Sequence, residues 1–440
     1  MKEAILIVGS GAREHAIAAS LARSPQKPDL LCFGATRNPG IEPLCRAYAT
    51  GSVTDAKAIV TFAGLHNATL AVIGPEAPLA AGVADALWAA NVPVVGPREK
   101  LAQIEASKSF TRELLVKYGI PGNPFFQRFE SMHSVEDVLT RYAAQHVVKD
   151  DGLAGGKGVK VWGDHLLTHE DSVAYCQELA EAGRPFVIEE KLEGEEFSLL
   201  SFCDGTTLRH MPAVQDHKRA YEGDKGPNTG GMGTYTDADG KLPFLTQADI
   251  EAAQSINERV VKALAEECGA PYQGFLYGGF MATRDGVRLI EYNARFGDPE
   301  ALNLLTLLET DFVAVCRAIV DGTLGEVPVT FAPQASVCKY VVPEGYPVDT
   351  RQGDAVVMPQ GIPDNVTTYF GGVIEKNGGL VVAGTRAVGF VGRAATIAEA
   401  EALCERFAAQ VPGRFFHRTD IGTEAAIANR VAHMRTLRQA

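Results

Sequence analysis

Short apolar runs at Ile5 to Val8, Leu30 to Phe33, Leu70 to Ile73 and Val92 to Val95 alternate with alanine-rich stretches of helical spacing up to about residue 105. That rhythm predicts βαβ units and hence a parallel sheet. A single helix is predicted from about Arg98 to Tyr118, ended by Gly119 with Pro121 just beyond, and a new domain is expected to begin around it. From about Phe125 to Leu192 the pattern changes to strands at Val147 to Lys149, Val159 to Trp162 and Phe186 to Glu190, with a helix near Asp171 to Ala182. Residues 193 to about 328 read as a larger α/β section. A strand-rich tail is expected from Ala335, with turns at Pro343-Glu344-Gly345 and Lys376-Asn377-Gly378-Gly379, closing with a helix and His417-Arg418-Thr419-Asp420. No repeat, heptad array or low-complexity segment interrupts this order.

At 440 residues the chain exceeds what one core usually organises, so two to four domains with a cleft between them are expected. No apolar run is long enough to cross a bilayer, and the start, Met1 to Gly9, reads as a buried strand rather than a signal peptide, so a cytoplasmic protein is expected. The net charge of -13 opposes non-specific attraction to nucleic acid; an anionic substrate would need a local basic pocket. The eight cysteines are scattered without a C-x-x-C pair, which predicts reduced, buried thiols rather than a zinc ribbon or disulfides.

Several segments carry candidate chemistry. Gly9-Ser10-Gly11-Ala12-Arg13-Glu14-His15 joins a strand to a helix, where backbone N–H groups can hold a phosphate or carboxylate. Glu14 stands where the third glycine of a dinucleotide fingerprint would be, and Phe33-Gly34-Ala35 brings no ribose-binding acid; a plain tight turn is the alternative. Glu76, in Gly74-Pro75-Glu76-Ala77-Pro78, is a candidate for a sugar hydroxyl or an ordinary turn carboxylate. Lys149 ends a strand before glycines 152, 155, 156 and 158, with Lys157 among them, as a cover over a triphosphate requires; a flexible hairpin would look similar. Glu189 to Glu196 runs from an apolar strand into an acidic turn whose backbone could read adenine and whose Glu195 or Glu196 could take ribose hydroxyls. Glu291 and Asn293 project together from one strand and offer oxygen donors to Mg²⁺, beside Arg295-Phe296-Gly297-Asp298-Pro299-Glu300; an alternating polar strand face is the bland reading. Gln215-Asp216-His217-Lys218-Arg219 followed by Asn228-Thr229-Gly230-Gly231-Met232-Gly233 suits a phosphorylated, amine-bearing substrate, with His217 a local hydrogen-bonding residue.

Taken together these segments, with Ala335-Ser336-Val337-Cys338 and His417 to Gly422, resemble the phosphoribosylamine-glycine ligase family of the ATP-grasp superfamily nearly end to end. The resemblance implies an α/β ATP-grasp fold, with a Rossmann-like parallel-sheet domain over 1–105, an ATP-grasp domain over 106–328 whose lid spans about 125–192, and a strand-rich C-terminal domain over 329–440. It implies ATP-dependent joining of glycine to 5-phosphoribosylamine through glycyl phosphate, with Mg²⁺ or Mn²⁺, in a monomer or homodimer without nucleic-acid or membrane partners. Residue by residue, it implies Lys108, Lys149, Gly155, Gly156 and Lys157 on the nucleotide phosphates. Glu189, Lys191 and Leu192 would meet adenine mainly through backbone, Glu195 or Glu196 the ribose, and Glu291 and Asn293 the metal. Arg295 would neutralise the glycine carboxylate or acyl phosphate. Asp216, Lys218, Asn228, Gly230, Gly231, Met232 and Asp298 would shape the amine and glycine pocket, completed by Gly11, Arg13 and Glu76. The chain departs from the family pattern at Ala12, Asp150 and Gly155, at Ala301-Leu302, and in lacking a carboxylate within Tyr277 to Met281. The alternatives are another ATP-grasp carboxylate-amine ligase, a nicotinamide oxidoreductase and a non-catalytic nucleotide sensor.

Overall fold

The computed structural model describes residues 2–153 and 158–439. The first apolar runs form β1 (Ala4–Val8), β2 (Asp29–Gly34), β4 (Leu70–Ile73) and β5 (Val94–Val95), joined by the unpredicted, half-exposed edge strand β3 (Cys45–Thr50) and paired in parallel in the order β3-β2-β1-β4-β5. The loops leaving β1 and β4 close over the Glu14 side chain. A Cβ on Gly74 would lie 2.0 Å from a Glu14 carboxylate oxygen, and one on Gly9, at φ +115°, would meet Glu14 Cγ at 2.8 Å. The same carboxylate accepts from the Gly11 N–H at 2.6 Å. A fixed negative charge therefore fills the phosphate position of a dinucleotide turn, and the nicotinamide reading fails on electrostatic grounds.

The helix expected from Arg98 to Tyr118 is two helices, Glu99–Ala106 and Lys108–Lys117. Ser107, extended at φ -134°, ψ 117°, breaks them and caps the second by accepting from the Phe110 N–H. Asp151, 44 residues on from Ser107, accepts from the Ser109 N–H at 2.7 Å and from its hydroxyl at 2.5 Å. The apolar spacing runs through the break, so periodicity alone reads one helix, although Ser107 is itself a local cap residue.

A small antiparallel sheet follows, ordered Phe126–Phe129, Phe186–Glu190, His146–Asp150, Val159–Val161. It packs its own apolar cluster, including Phe129, Val138, Leu139, Val148, Leu179 and Ile188. The other sheets, apart from the two-stranded one of Arg219–Tyr221 and Lys225–Asn228, share one larger core. The central sheet runs Leu208–His210, Glu195–Asp204, Gln273–Thr283, Gly286–Asn293, and packs against the long helix Gln247–Cys268. It joins the first sheet where the Gly96 N–H donates to the Gln273 carbonyl.

The C-terminal sheet is ordered Gln215–Asp216, Gly233–Thr236, Ala335–Pro343, Val388–Ala394, Val366–Phe370, with Phe415–Phe416 paired to the end of Ala335–Pro343. Two of its strands thus come from the stretch read as the preceding α/β section. Their six residues are too short to declare a sheet partner from sequence. The tail carries the helix Ile397–Ala408 and a further one, Glu424–Gln439, which buries Met434 and rests the partly buried Ile427, Val431 and Leu437, at helical spacing, on the same core. All eight cysteines are free, and no helix among the described residues is long and apolar enough to cross a membrane.

The first and last sheets meet at His15. Its Nδ1 accepts from the Phe370 N–H at 2.9 Å, and its ring stacks on Phe370 and meets the edge of Tyr369. Burial lowers its pKa to about 4, from about 6.5 in an unfolded chain. The unfolded chain takes up this proton first on acidification. The full contribution, on the order of 3 kcal/mol, is therefore present above pH ~6.5 and lost as pH falls toward 4. Melting temperatures measured across this window are expected to fall less steeply for His15→Gln, which keeps an acceptor but does not titrate. Superimposable pH slopes would remove His15 from this role.

Candidate active site

Three strands and a helix converge on a buried ionic triad. Register pairs Val147 with Glu189, so Lys149 and Glu189 share one face of the small sheet. Lys149 Nζ lies 2.7 Å from Glu189 Oε2, and Arg112, from the helix Lys108–Lys117, makes a two-pronged contact with the same carboxylate at 2.7 and 3.0 Å. The strand Gly286–Asn293 bulges at Ile290, which freezes out one unpaired carbonyl. That carbonyl accepts from Arg112 at 2.6 Å and from Lys149 at 3.2 Å, and Leu289 O accepts from Arg112 at 3.1 Å. Burial pulls the Lys149 pKa down, while Glu189 stays ionised because Arg112 and Lys149 outweigh its desolvation. Two cations on one carboxylate leave positive charge facing the cleft.

Just past the bulge, Glu291 and Asn293 project from one face of the strand. Burial would raise the Glu291 pKa, but the ammonium groups of Lys218, Lys149 and Lys108 bring it down to about 2. Lys218 Nζ is 3.3 Å from Glu291 and 3.9 Å from Glu196. Lys108 reaches the Gly152 carbonyl at 2.9 Å, at the start of the glycine-rich loop. Gly155, Gly156 and Lys157 lie outside the described residues. Asp150 pairs with Arg184 at 2.6 Å, so with Asp151 on Ser109 the loop is tied to the fold on its N-terminal side.

Beside this basic rim lies an acidic recess in which Asp216, expected in the substrate pocket, is joined by Glu300, to which the sequence assigns no role. Asp216 and Glu300 are both displaced upward in pKa, by burial first and, for Asp216, by the Glu300 charge next. Asp216 Oδ1 is buried and has no hydrogen-bond partner among the described residues. Gly231, at φ +107°, passes so close that a Cβ there would stand 2.6 Å from Asp216 Oδ1. Glu300 opens its helix near Tyr277, whose hydroxyl accepts from Ser198 at 2.7 Å. Behind the recess Arg386 donates to the carbonyls of Gly230, Gly231 and Asp298, pairs with the Asp298 carboxylate at 3.0 Å and stacks on Tyr340. Asp298 also accepts from Tyr340 at 2.5 Å, so it shapes this wall rather than facing a ligand. Met232 is buried, with its N–H on His217 O, and Asn228 pairs with Arg219 in a hairpin.

Several expectations need correction. Arg295 is not a free cation: it lies 3.2 Å from Glu76 and 2.9 Å from Glu105, whose other oxygen accepts from the Ala294 N–H at 2.8 Å. Glu76 is held at a pKa of about 2 by Arg295 and Arg13 against its burial, which makes it an interdomain partner rather than a sugar ligand. Arg13 is spent on Glu14 at 2.7 Å and Phe296 O at 3.1 Å, and the Gly11 N–H on Glu14. Strand parity sends Glu195 away from Glu196, onto Arg430 at 2.6 Å and His433 at 2.7 Å, so it is no ribose ligand. The Glu189 side chain belongs to the triad. Lys191 gives its N–H to Gln145 O and its ammonium to Trp162 O, whereas no described residue accepts from the Leu192 N–H. Glu300, Tyr277, Arg112, Glu105 and Arg386 went unread. Glu300 lies in a quoted motif, and only its burial beside Asp216 marks it.

A lysine-rimmed carboxylate and carboxamide under a small antiparallel sheet, opposite a central one, define an ATP-grasp fold of the carboxylate-ligase kind. The chain belongs to the phosphoribosylglycinamide synthetase family: models of its N domain, ATP-grasp (A) domain and C domain match residues 3–105, 106–301 and 336–424. The phosphoribosylamine–glycine ligase of Methanosarcina barkeri is 48% identical over 434 residues, covering 99% of both chains. That of Methanocaldococcus jannaschii is 45% identical over 444 residues, covering 99% of this chain and 100% of its own. The crystal structure of the Thermotoga maritima phosphoribosylamine–glycine ligase superposes with a TM-score of 0.80 at 28% identity, covering 95% of this chain and 100% of that one. A biotin carboxylase complex from Campylobacter jejuni shares the fold at a TM-score of 0.72 and 12% identity, over 99% and 95% of the two chains.

Glu189→Gln leaves two buried cations without their counter-charge, which costs about 3–5 kcal/mol. Denaturant unfolding is expected to show a loss of that size, and an unchanged midpoint would mean the triad constrains nothing.

Proposed function

We propose that the chain joins glycine to 5-phosphoribosylamine at the expense of ATP, giving glycinamide ribonucleotide, ADP and phosphate. The observation that carries this reading is the adjacency of two opposite fields in one crevice. Lysines 108, 149 and 218 gather around Glu291, and Asp216 Oδ1 stands unpartnered in the recess beside Glu300. The first field suits a triphosphate. The second suits an ammonium group, which would restore ionisation to the two carboxylates by giving them a counter-charge.

In this reading a glycine carboxylate oxygen attacks the γ-phosphorus, and the bond to the β–γ bridging oxygen breaks with its electron pair leaving on ADP. The amine nitrogen of phosphoribosylamine then attacks the carbonyl carbon of glycyl phosphate. The C–O bond to phosphate breaks with its electron pair leaving on phosphate, which takes up the proton that the amine gives up. Asp216 and Glu300 keep the glycine amino group protonated, which withholds its lone pair from the acyl phosphate. Lys149, Lys108 and Lys218 neutralise the transferring group, so the chain's contribution is mostly position and charge. Leu192 offers the backbone N–H left for adenine, and Glu196, on the cleft side of its strand, the carboxylate for ribose.

The residues present fit a hard divalent cation such as Mg²⁺ or Mn²⁺. Glu291 is held ionised by its lysines, Asn293 adds a neutral oxygen on the same face, and no group of three or more acidic, His or Cys ligands competes among the described residues. Two protein oxygens with the remainder from phosphates is a common arrangement for magnesium, which would supply charge neutralisation at the phosphates. The boundaries near 105 and 328 remain our proposed domain limits; the parallel sheet supports the first, while at the second the strands Gln215–Asp216 and Gly233–Thr236 cross into the C-terminal sheet. Free cysteines suit a cytoplasmic enzyme.

ADP release from ATP is expected only with both glycine and freshly generated 5-phosphoribosylamine present. Turnover with a different amino acid or amine would assign another carboxylate–amine ligase, and ATP binding without any turnover a nucleotide sensor. Glu300→Gln is expected to raise the KM for glycine about tenfold or more while moving that for ATP less than about twofold. Equal effects on both substrates would take Glu300 out of the ammonium site.

A further inference from the structure

The hairpin Arg219–Tyr221 with Lys225–Asn228 lies between Lys218 and the Gly230-Gly231 turn, both of which border the acidic recess. Two strands alone are marginally stable in water, so the hairpin's placement depends on what holds it. Its tip residue Asp224 is gripped by Arg418 at 2.8 Å and by Arg430 at 2.7 Å. Arg430 belongs to the terminal helix Glu424–Gln439, which lies beyond residue 424, where the family's C-domain match ends. Its other guanidinium edge reaches Glu195 at 2.6 Å. Glu195 is the first residue of the central-sheet strand, immediately after residues 191–194, which lead out of the small sheet.

One guanidinium therefore spans the strand leaving the nucleotide side and the hairpin serving the amine side. We infer that Arg430 is a positioning residue: through the terminal helix it sets the hairpin, and with it Lys218 and Asp216, against the nucleotide strand, so that acyl transfer follows phosphoryl transfer before water intervenes. Apolar contacts of Met434, Ile427, Val431 and Leu437 seat the helix on the core, and its other charged anchors are His433 on Glu195 and Arg438 on Asp249 of the long helix, both at 2.7 Å. A planar fork suits this task because its two edges address two carboxylates at once.

The inference rests on the ligase reading, and the experiment separates the two. In the full chain, wild type, Arg430→Gln, Arg430→Lys and Arg438→Gln are compared for ADP released per glycinamide ribonucleotide formed, kcat, KM for each substrate and melting temperature. Arg430→Gln is expected to lower product-forming kcat about tenfold and to raise ADP released per product, with KM for ATP within about twofold of wild type. Arg430→Lys, which keeps charge but loses the fork, should fall between. Arg438→Gln, which loosens the same helix at the far anchor, should keep wild-type coupling. If wild type shows no glycine-dependent turnover, the ligase reading fails. If wild type turns over and Arg430→Gln couples normally, or Arg438→Gln uncouples equally, the positioning role fails. A fall in kcat that only tracks the folded fraction also overturns it.

Discussion

A buried carboxylate cannot be left between two cations that belong to other segments, and that requirement organises the centre of this protein. Glu189 holds Arg112 and Lys149, and both cations also reach the bulge carbonyl of Ile290. Four elements meet there: a helix, two strands of the small sheet, and the strand that ends in Glu291 and Asn293. Each charge would be costly to bury alone, and each is stabilised only when all four elements are in place. The nucleotide side of the crevice is assembled by the same contacts that keep the small sheet, with its separate core, in register with the rest.

The other domain contacts follow the same logic. Arg295 is enclosed by Glu76 and Glu105 from the first domain, Arg13 turns inward onto Glu14 and Phe296 O, and His15 accepts from Phe370 across the junction with the C-terminal sheet. Charges that looked like ligand-binding groups thus hold domains together. What is left unmatched is the lysine group at Glu291 and the carboxylate pair at Asp216 and Glu300. A site for a triphosphate next to an amino acid needs that asymmetry.

Legibility along the chain tracked how local the cause was. β1, β2, β4 and β5 emerged near the residues their apolar runs named, because a strand buried on both faces writes its burial into consecutive positions, whereas the half-exposed edge strand β3 carries no such run. The hairpin around the glycine-rich loop was equally plain. The break at Ser107 was not, because the apolar spacing runs through it; Ser107 is a local cap, and Asp151 adds a second one from elsewhere in the chain. The terminal helix went unread although Ile427, Val431, Met434 and Leu437 recur at helical spacing, and its ion pairs to Glu195, Asp224 and Asp249 join that stripe only in the fold. Glu195 and Glu196 were interchangeable in sequence, since both are acids on a linker. One residue of strand parity then sends one to Arg430 and the other toward Lys218.

By itself the sequence determined the fold class, the glycine-rich loop, the strand bearing Glu291 and Asn293, and the segments Gln215 to Gly233 and Arg295 to Glu300, because motif spacing and apolar period are local properties of a chain. Tertiary structure alone decided which charges in those segments remain available. Arg13, Glu76, Arg295 and Glu195 found partners that no local pattern announces, Glu300 came to lie beside Asp216, and Gln215–Asp216 joined a sheet whose main strands begin more than a hundred residues later. A charged side chain shows its valence in sequence, but whether that valence is free for a ligand depends on the nearest opposite charge in space.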